Sequence, residues 1–345
     1  MRSLHSLSRA VALAAILSLL PTLASAQQAV RIAQGFASLS FLPVWAARAM
    51  NTFLVEGLIA SVVSPGGDPA ALAALDAGDV DLAAVGTESA LRAAAKGQPF
   101  EIVYSLMSKV TLEVVVAPSF LEKSGVKPGD PLQKRIAALK GTTIGVAAIG
   151  GTQETAARWL AAKGGLDPKA DIKIAQVGSP PALQAALENK RIDAFVLSPP
   201  EGFLATKSGA GTILISLGDE FPLLANQPYL VLVAKKPIDD KVSELIVKTV
   251  RAMQAAGAAL VKDPESSAMA IQKQFFAKAD PDAIAAAVKA LSSGVISGGK
   301  LDVESFQNQL VFSKEVGTDF GKEFNAAASQ NDLWTNSFVE RAAKK

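Results

Sequence analysis

The sequence predicts an α/β fold of two similar lobes joined by two hinge strands, with C-terminal helices packed on the first lobe. The prediction rests on an internal repeat with an offset of about 112 residues, on strands that alternate with helices, and on a helical C-terminal third. An offset of that size indicates duplicated domains, since solenoid repeats have periods of roughly 20–50 residues. We expect one lobe from residues 27–108 and 230–345, and the other from residues 109–229.

Residues 1–26 have the composition of a secretory signal peptide. Arg2 and Arg9 supply positive charge, residues 10–20 form an apolar run, and Ala24-Ser25-Ala26 matches a cleavage pattern. The run is shorter than the roughly 20 apolar residues that a membrane-spanning helix needs. We expect cleavage after Ala26 and a soluble periplasmic protein; the alternative is an uncleaved anchor.

Composition excludes several function classes. The one histidine, His5, lies in the leader, and the chain has no cysteine, so we expect no metal, no cofactor and no histidine-dependent catalysis. Of 34 Lys and Arg residues, Arg2 and Arg9 leave with the leader, and the remaining 32 balance 32 Asp and Glu. A neutral chain without a basic patch is not expected to bind nucleic acid. We expect a monomer that is not an enzyme.

The first half contains three strand–helix units in succession. Residues 30–33, 59–63 and 79–85 are short apolar runs typical of strands, and each leads through a small polar turn into a helix. Asp68 is the expected N-cap of the second helix, because Pro69 follows it at the first helical position. The second half repeats this order at residues 142–146, 172–177 and 190–197.

The remaining runs predict how the halves connect. Residues 100–107 and 112–117, and later 211–217 and 229–234, are apolar β-runs at the two expected crossings between lobes. Residues 240–261, 264–278, 281–292 and 303–317 carry apolar residues at helical spacing. Two independent domains in series are the alternative, which the absence of a Gly/Ser/Pro linker disfavours. Alternating strands and helices predict parallel sheets covered on both faces.

Such sheets bind ligands beyond the carboxyl ends of their strands, where helix amino ends present unpaired N–H groups. If the two lobes face each other, six turns would line a shared cleft. Their Gly, Ser and Thr residues allow close approach to a small polar ligand. The six turns are residues 36–41, 64–68, 86–89, 147–152, 178–179 and 198–201.

Several strings carry a resemblance to a known family. Residues 42–47, 67–81 and 139–146, together with Gly86-Thr87, resemble periplasmic substrate-binding proteins of the nitrate/sulfonate/taurine/bicarbonate group of ABC importers, which are related to thiamine-precursor binders. The resemblance covers roughly residues 30–317. It implies a type II periplasmic-binding fold, hinge closure on a small-molecule ligand and delivery to an ABC permease in the inner membrane. It also implies that Trp45, Gly86-Thr87 and residues 150–152 line the cleft.

The chain departs from this family in the charge of its expected cleft. Glu88, Glu113, Glu154 and Glu201 fall in or beside the turns, whereas Lys109 is the obvious cation there. A carboxylate repels an anionic ligand strongly at low dielectric. The acidic cleft therefore favours an organic ligand with N–H or O–H donors over a bare inorganic oxyanion.

Some of the candidate residues have purely structural alternatives. Ser198 and Glu201 have the spacing of a capping box, Glu88 and Glu154 suit the first turn of a helix, and Phe41 could be a core residue. Trp45 could also be a core residue. The candidate ligand-binding residues are Ser38, Ser40, Phe41, Trp45, Asp68, Gly86, Thr87, Glu88, Ser89, Lys109, Gly150, Gly151, Thr152, Gln153 and Glu201.

Two other function classes stay open from the sequence alone. A sensory receptor for a membrane kinase would use the same closure on ligand. An enzyme of the related pyrimidine-synthesising branch is disfavoured, because that branch depends on histidine and cysteine residues that the mature chain lacks.

Overall fold

The structure is a computed structural model that describes residues 27–295, 297–327, 329–330 and 332–344. The predicted signal peptide, residues 1–26, lies outside the described residues. Two five-stranded mixed sheets form the frame of the molecule. Among the described residues, no helix is both long enough and apolar enough to cross a membrane.

The first sheet has the strand order β2-β1-β3-β10-β4. β1 pairs in parallel with β2 and β3, whereas β10 pairs antiparallel with β3 and β4. A strand from the far end of the chain is therefore inserted between β3 and β4. The bounds are β1 (Gln28–Gln34), β2 (Leu58–Val63), β3 (Leu82–Gly86), β4 (Phe100–Met107) and β10 (Leu230–Lys235).

The second sheet repeats this arrangement with the order β7-β6-β8-β5-β9. β6 is parallel to β7 and β8, and β5 is antiparallel to β8 and β9. The chain crosses to this sheet between β4 and β5 and returns between β9 and β10. The bounds are β5 (Glu113–Val116), β6 (Thr143–Val146), β7 (Lys173–Gln176), β8 (Ala194–Leu197) and β9 (Thr212–Ser216).

Helices follow the strands in the predicted order. Around the first sheet they are α1 (Leu42–Ala49), α2 (Thr52–Val55), α3 (Asp68–Ala77) and α4 (Thr87–Ala95). Around the second they are α5 (Pro118–Ser124), α6 (Leu132–Ala137), α7 (Thr152–Lys163), α8 (Pro180–Glu188), α9 (Glu201–Ser208), α10 (Leu217–Glu220) and α11 (Pro222–Ala225). Gly67, and not Asp68, occupies the N-cap position of α3, so the predicted Asp68 cap is wrong.

The C-terminal helices begin with a repeated capping device. Asp239, Asp263, Asp280 and Asp302 each accept the N–H of the residue three positions on, which satisfies one free donor of the first turn. The four helices capped in this way are α12 (Asp240–Lys262), α13 (Pro264–Phe275), α14 (Pro281–Ser292) and α15 (Val303–Glu315). The last helix, α16 (Ser337–Ala343), follows Asn336 without a side-chain cap.

The C-terminal helices pack on the first lobe and also reach the second. α12 packs against α1, α2 and α16, as the sequence predicts. Phe312 of α15 lies in the core of the second lobe, and Glu315 accepts a hydrogen bond from Trp159 Nε1 of α7 at 2.9 Å. Lys207 of α9 pairs with Asp282 of α14 at 2.7 Å. The C-terminal helices therefore bridge the two lobes.

Alternate residues of the strands bury themselves on opposite faces of each sheet, as the pleat requires. In β1, Ile32 joins a core with α1 and α12, whereas Ala33 joins a second core with α3 and α4. Val114 and Val115 of β5 divide in the same way in the second lobe. Both sheets thus have core residues on both faces.

Candidate functional site

The carboxyl ends of the two sheets meet at a chain of three hydroxyl groups. Ser40, in the turn after β1, lies with its Oγ 2.8 Å from Oγ1 of Thr111, in the first crossing between lobes. Thr111 Oγ1 lies 2.9 Å from Oγ of Ser198, which follows β8. Tyr229, in the return crossing, also hydrogen-bonds to Ser198 and Thr111, and burial raises the pKa of its phenol to about 12. The turn after β1 and the turn after β8 therefore meet, and both crossings lie beside them.

Asp68 holds together a group of first-lobe residues, namely Asp68, Gly86 and Ser89, which we call the Asp68 wall. Its Oδ2 accepts the Gly86 backbone N–H at 3.0 Å and the Ser89 hydroxyl at 2.8 Å. A Cβ placed on Gly35 would lie 1.9 Å from Asp68 Oδ1, so only glycine leaves room for this carboxylate. Burial raises the pKa of Asp68, which these two hydrogen bonds partly oppose. The side chain therefore links two of the predicted turns, residues 64–68 and 86–89, and lies close to Gly35 at the end of β1.

Thr87 ties the same wall to the return crossing. Its backbone N–H donates to the carbonyl of Tyr229 at 3.1 Å, and its buried hydroxyl donates to the carbonyl of Pro228. Lys109, in the first crossing, donates from Nζ to Asp219 Oδ1 at 2.6 Å and to Ser293 Oγ at 2.8 Å. Both crossings are therefore fixed by polar contacts to neighbouring elements.

Two glutamates lie beside the hydroxyl chain in the second lobe. Glu113, the first residue of β5, is 5% exposed, and burial together with the charges of Asp219 and Glu201 raises its pKa to about 8. Burial also raises the pKa of Glu201 to about 7. The predicted capping box of Ser198 and Glu201 is wrong: Pro200 is the N-cap of α9, no side chain caps it, and the Ser198 hydroxyl faces Thr111.

The first turn of the second lobe is more open. Glu154 Oε2 accepts the backbone N–H of Gly150 at 2.7 Å, and its Oε1 accepts from Arg158 Nε at the same distance. These two bonds lower the pKa of Glu154, so its carboxylate acts within its own turn. Around it, Gly150 and Thr152 are exposed, and Gly151 and Gln153 are partly exposed.

Three predicted residues make contacts inside the first lobe. Phe41 is 2% exposed and belongs to the core. Trp45 donates from Nε1 to the carbonyl of Ser38 at 2.8 Å and packs edge-on against Phe275, with ring centroids 4.8 Å apart. Glu88 Oε1 accepts from Arg92 Nη2 at 2.7 Å and from the Thr318 hydroxyl at 3.0 Å, so its carboxylate is held by α4 and by the segment after α15.

Two exposed apolar side chains stand in matching turns of the two lobes. Phe36, after β1, is 54% exposed, and Ile149, after β6, is 55% exposed. Sequence reasoning singled out neither of them, and it also missed Thr111 and Tyr229. Their positions in the sequence could have identified Thr111 and Tyr229 as candidates. Each is a polar residue at the start of an apolar hinge run, and these runs are expected beside the predicted cleft.

Comparison with known proteins assigns the family. The sequence model of the NMT1-like family matches residues 23–274. The chain belongs to the NMT1-like family. YtlA of Bacillus subtilis (strain 168), a candidate binding protein, is 24% identical over 261 residues, which cover 75% of this chain and 74% of YtlA.

Solved structures show the same fold. A structure from Bordetella bronchiseptica RB50 is 25% identical, with a TM-score of 0.71 over 91% of this chain and 96% of that chain. The periplasmic nitrate-binding protein NrtA of Synechocystis PCC 6803 is 15% identical, with a TM-score of 0.68 over 92% of this chain and 88% of that chain. Identity as low as that of NrtA shows a shared fold alone. The predicted periplasmic-binding fold and family resemblance are confirmed.

Proposed function

We propose that the protein is an extracytoplasmic receptor that captures a small polar organic molecule between its lobes and delivers it to an ABC permease. The observation that carries the proposal is the chain of hydrogen-bonded hydroxyl groups from Ser40 through Thr111 to Ser198, which joins the turns beyond the ends of the two sheets. The match to YtlA, a candidate binding protein, supports a binding role. The protein would act as a monomer and release its ligand chemically unchanged.

The proposed lobes are residues 27–108 with 230–345, and residues 109–229. Such lobes would be joined at the two crossings, so rotation about these crossings would open and close the gap. The contacts of α14 and α15 with the second lobe must then change or move with it. The proposed binding surface comprises the hydroxyl chain, the Asp68 wall with Gly86 and Ser89, and Glu113 with Glu201.

An organic ligand suits this surface better than an inorganic anion. Glu113 and Glu201 bring acidic groups to the gap, while the ammonium of Lys109 is engaged by Asp219. An anion would meet repulsion from either group once that group is ionised, and this repulsion is strong where water is excluded. Phe36 and Ile149 offer apolar surface at the cleft-side turns. We propose a ligand that combines hydrogen-bond donors with an apolar part.

Thermal-shift screening of the mature protein tests this function. A ligand present at 100 times its dissociation constant adds about 2.7 kcal/mol of stability, which is easily measured. Small-angle X-ray scattering of the same samples should show a smaller radius of gyration when a hit is bound. We expect hits among polar organic molecules and no shift with nitrate.

A matched pair of threonine variants localises the binding. Thr111→Val removes the central hydroxyl of the Ser40–Thr111–Ser198 chain and should lower the affinity for any thermal-shift hit several-fold. Thr142→Val also removes a buried hydroxyl, but one that bonds locally to the Leu139 carbonyl at the opposite end of β6. The Thr142→Val variant should bind the hit with the affinity of the wild type. Equal affinities in both variants, or compaction with no ligand in the library, would contradict the proposed site.

A further inference from the structure

We propose that a small cavity beside β5 is a subsite for an N–H donor of the ligand, such as an ammonium, amidinium or amino group, which Glu113 binds. The inference rests on the proposed binding function and names the chemical class of ligand. The cavity lies between the first crossing, the start of α10 and the end of α14. Its lining includes Lys109, Thr111, Leu112, Glu113, Asp219 and Leu291.

Glu113 carries an acceptor that the described residues leave unused. Its side chain is buried, and its Oε2 has no hydrogen-bond partner among them. A buried polar atom without a partner costs free energy, more so when it is charged. The folded protein therefore contains an unpaired buried oxygen, Glu113 Oε2, at a cost in stability. A hydrogen-bond donor supplied by a ligand would pair with this oxygen.

The surrounding chain leaves space for this carboxyl group. A Cβ placed on Gly202, in the first turn of α9, would lie 2.4 Å from Glu113 Oε2 and 2.9 Å from Cγ1 of Ile213. Any side chain at position 202 would thus press on the carboxyl group. The glycine leaves room for Oε2 in its present position.

The size of the cavity selects the group that enters it. Its volume is about 20 Å³, which is close to the space that one water molecule occupies. An ammonium or amino group has similar dimensions, whereas a sulfonate or a carboxylate is larger. The apolar part of a ligand would stay outside, in the gap between the lobes.

The charges around Glu113 favour a donor over an acceptor. Burial raises the pKa of Glu113, and its acidic neighbours Asp219 and Glu201 raise it further. Lys109 is the positive neighbour, but its Nζ already contacts Asp219 at 2.6 Å and Ser293 at 2.8 Å. A cationic N–H donor would favour the ionised form of Glu113 and gain from its carboxylate and from its acidic neighbours Asp219 and Glu201, while an anion would gain no such attraction. The described residues contain no group of three or more side chains that could hold a metal ion.

Small amines with matched controls test the subsite in the mature protein. Benzylamine is compared with benzyl alcohol and benzoate, and methylammonium with tetramethylammonium, which has the same charge but no N–H donor. The thermal shift is measured for the wild type, Glu113→Gln and Glu154→Gln. Glu154 is the control because its carboxylate is already occupied by Gly150 and Arg158.

We expect both N–H cations to raise the melting temperature of the wild type, and the matched alcohol, benzoate and tetramethylammonium to leave it unchanged. Glu113→Gln should lower the affinity for the amines about ten-fold, which is the lower end of the loss expected when a hydrogen bond to a charged group is removed. Glu154→Gln should leave the affinity for the amines unchanged. Equal shifts for methylammonium and tetramethylammonium in the wild type would overturn the subsite, and this comparison needs no variant. Failure of both amines to shift the wild type, or an undiminished shift in Glu113→Gln, would overturn it too.

The outcome for the subsite is separable from that for the proposed function. If the amines fail while another organic ligand shifts the wild type and is weakened by Thr111→Val, the subsite is refuted and the receptor function stands. If no library member shifts the wild type or compacts it, the receptor function itself fails.

Discussion

Replacing Glu113 by glutamine should make the protein less sensitive to alkaline pH. In the native state burial and neighbouring charges hold the pKa of Glu113 near 8, whereas its ordinary value is 4.5. The native protein therefore keeps a proton that the unfolded chain releases. The stability that this proton contributes is complete below about pH 4.5 and is lost as the pH rises through 8.

The size of the effect follows from that difference in pKa. One such carboxyl group loses about 3.5 kcal/mol of stabilisation between pH 5 and pH 8. The slope is about 1.4 kcal/mol per proton and pH unit, and it is reduced near both ends of this range. Glu113→Gln has no proton to release, so it should match the wild type at pH 5 and exceed it at pH 8. The expected gap in melting temperature at pH 8 is roughly 5 °C or more.

Differential scanning calorimetry of the ligand-free proteins at pH 5, 6, 7 and 8 measures this gap. Glu154→Gln serves as the control of opposite sign, because hydrogen bonds from Gly150 and Arg158 lower the pKa of Glu154. Its stabilisation is present above pH 4.5 and is lost as the pH falls, so the wild type should exceed Glu154→Gln by a constant amount from pH 5 to pH 8. A Glu113→Gln gap that does not change over this range would refute the buried, protonated state of Glu113.

Three further substitutions test separate contacts. Gly202→Ala should destabilise the protein by about 1–3 kcal/mol, because its Cβ would overlap Glu113 Oε2, and denaturant unfolding measures this; an unchanged midpoint would contradict the close approach. Asp68→Ala leaves two hydrogen bonds of the first-lobe wall unmade, so calorimetric titration should show several-fold weaker binding of any thermal-shift hit. Trp159→Phe keeps the aromatic contacts but removes the hydrogen bond to Glu315, so its melting point should fall by the equivalent of about 1 kcal/mol; no change would mean that this bridge between the lobes adds nothing to stability.

Local patterns made the frame of the fold predictable. β1, β3 and β8 are short apolar runs that end in turns rich in Gly, Ser or Pro, so their pattern indicated both the strand and the start of the next helix. Parallel pairing then followed from the alternation of strands and helices. Ser40 and Ser198 could be placed near a cleft because each stands just beyond the carboxyl end of a strand.

Contacts between distant parts of the chain were beyond this reasoning. Glu88 was expected at the cleft, but one of its partners is Thr318, 230 positions away, which no local pattern identifies. Thr111 meets Ser198 across 87 positions and Ser40 across 71, so its central place depends on both crossings. The Ser198–Glu201 spacing was misleading, because Pro200 takes the N-cap and the hydroxyl of Ser198 turns to the other lobe.

Hydrogen–deuterium exchange with and without the strongest thermal-shift hit tests the central claim most directly, namely that ligand binds where the two sheets end. We predict slower exchange on both sides of the gap, in residues 36–41 and 86–89 of one lobe and residues 109–113 and 201–204 across from them. Protection confined to one lobe, or to helices remote from these turns, would contradict binding between the lobes.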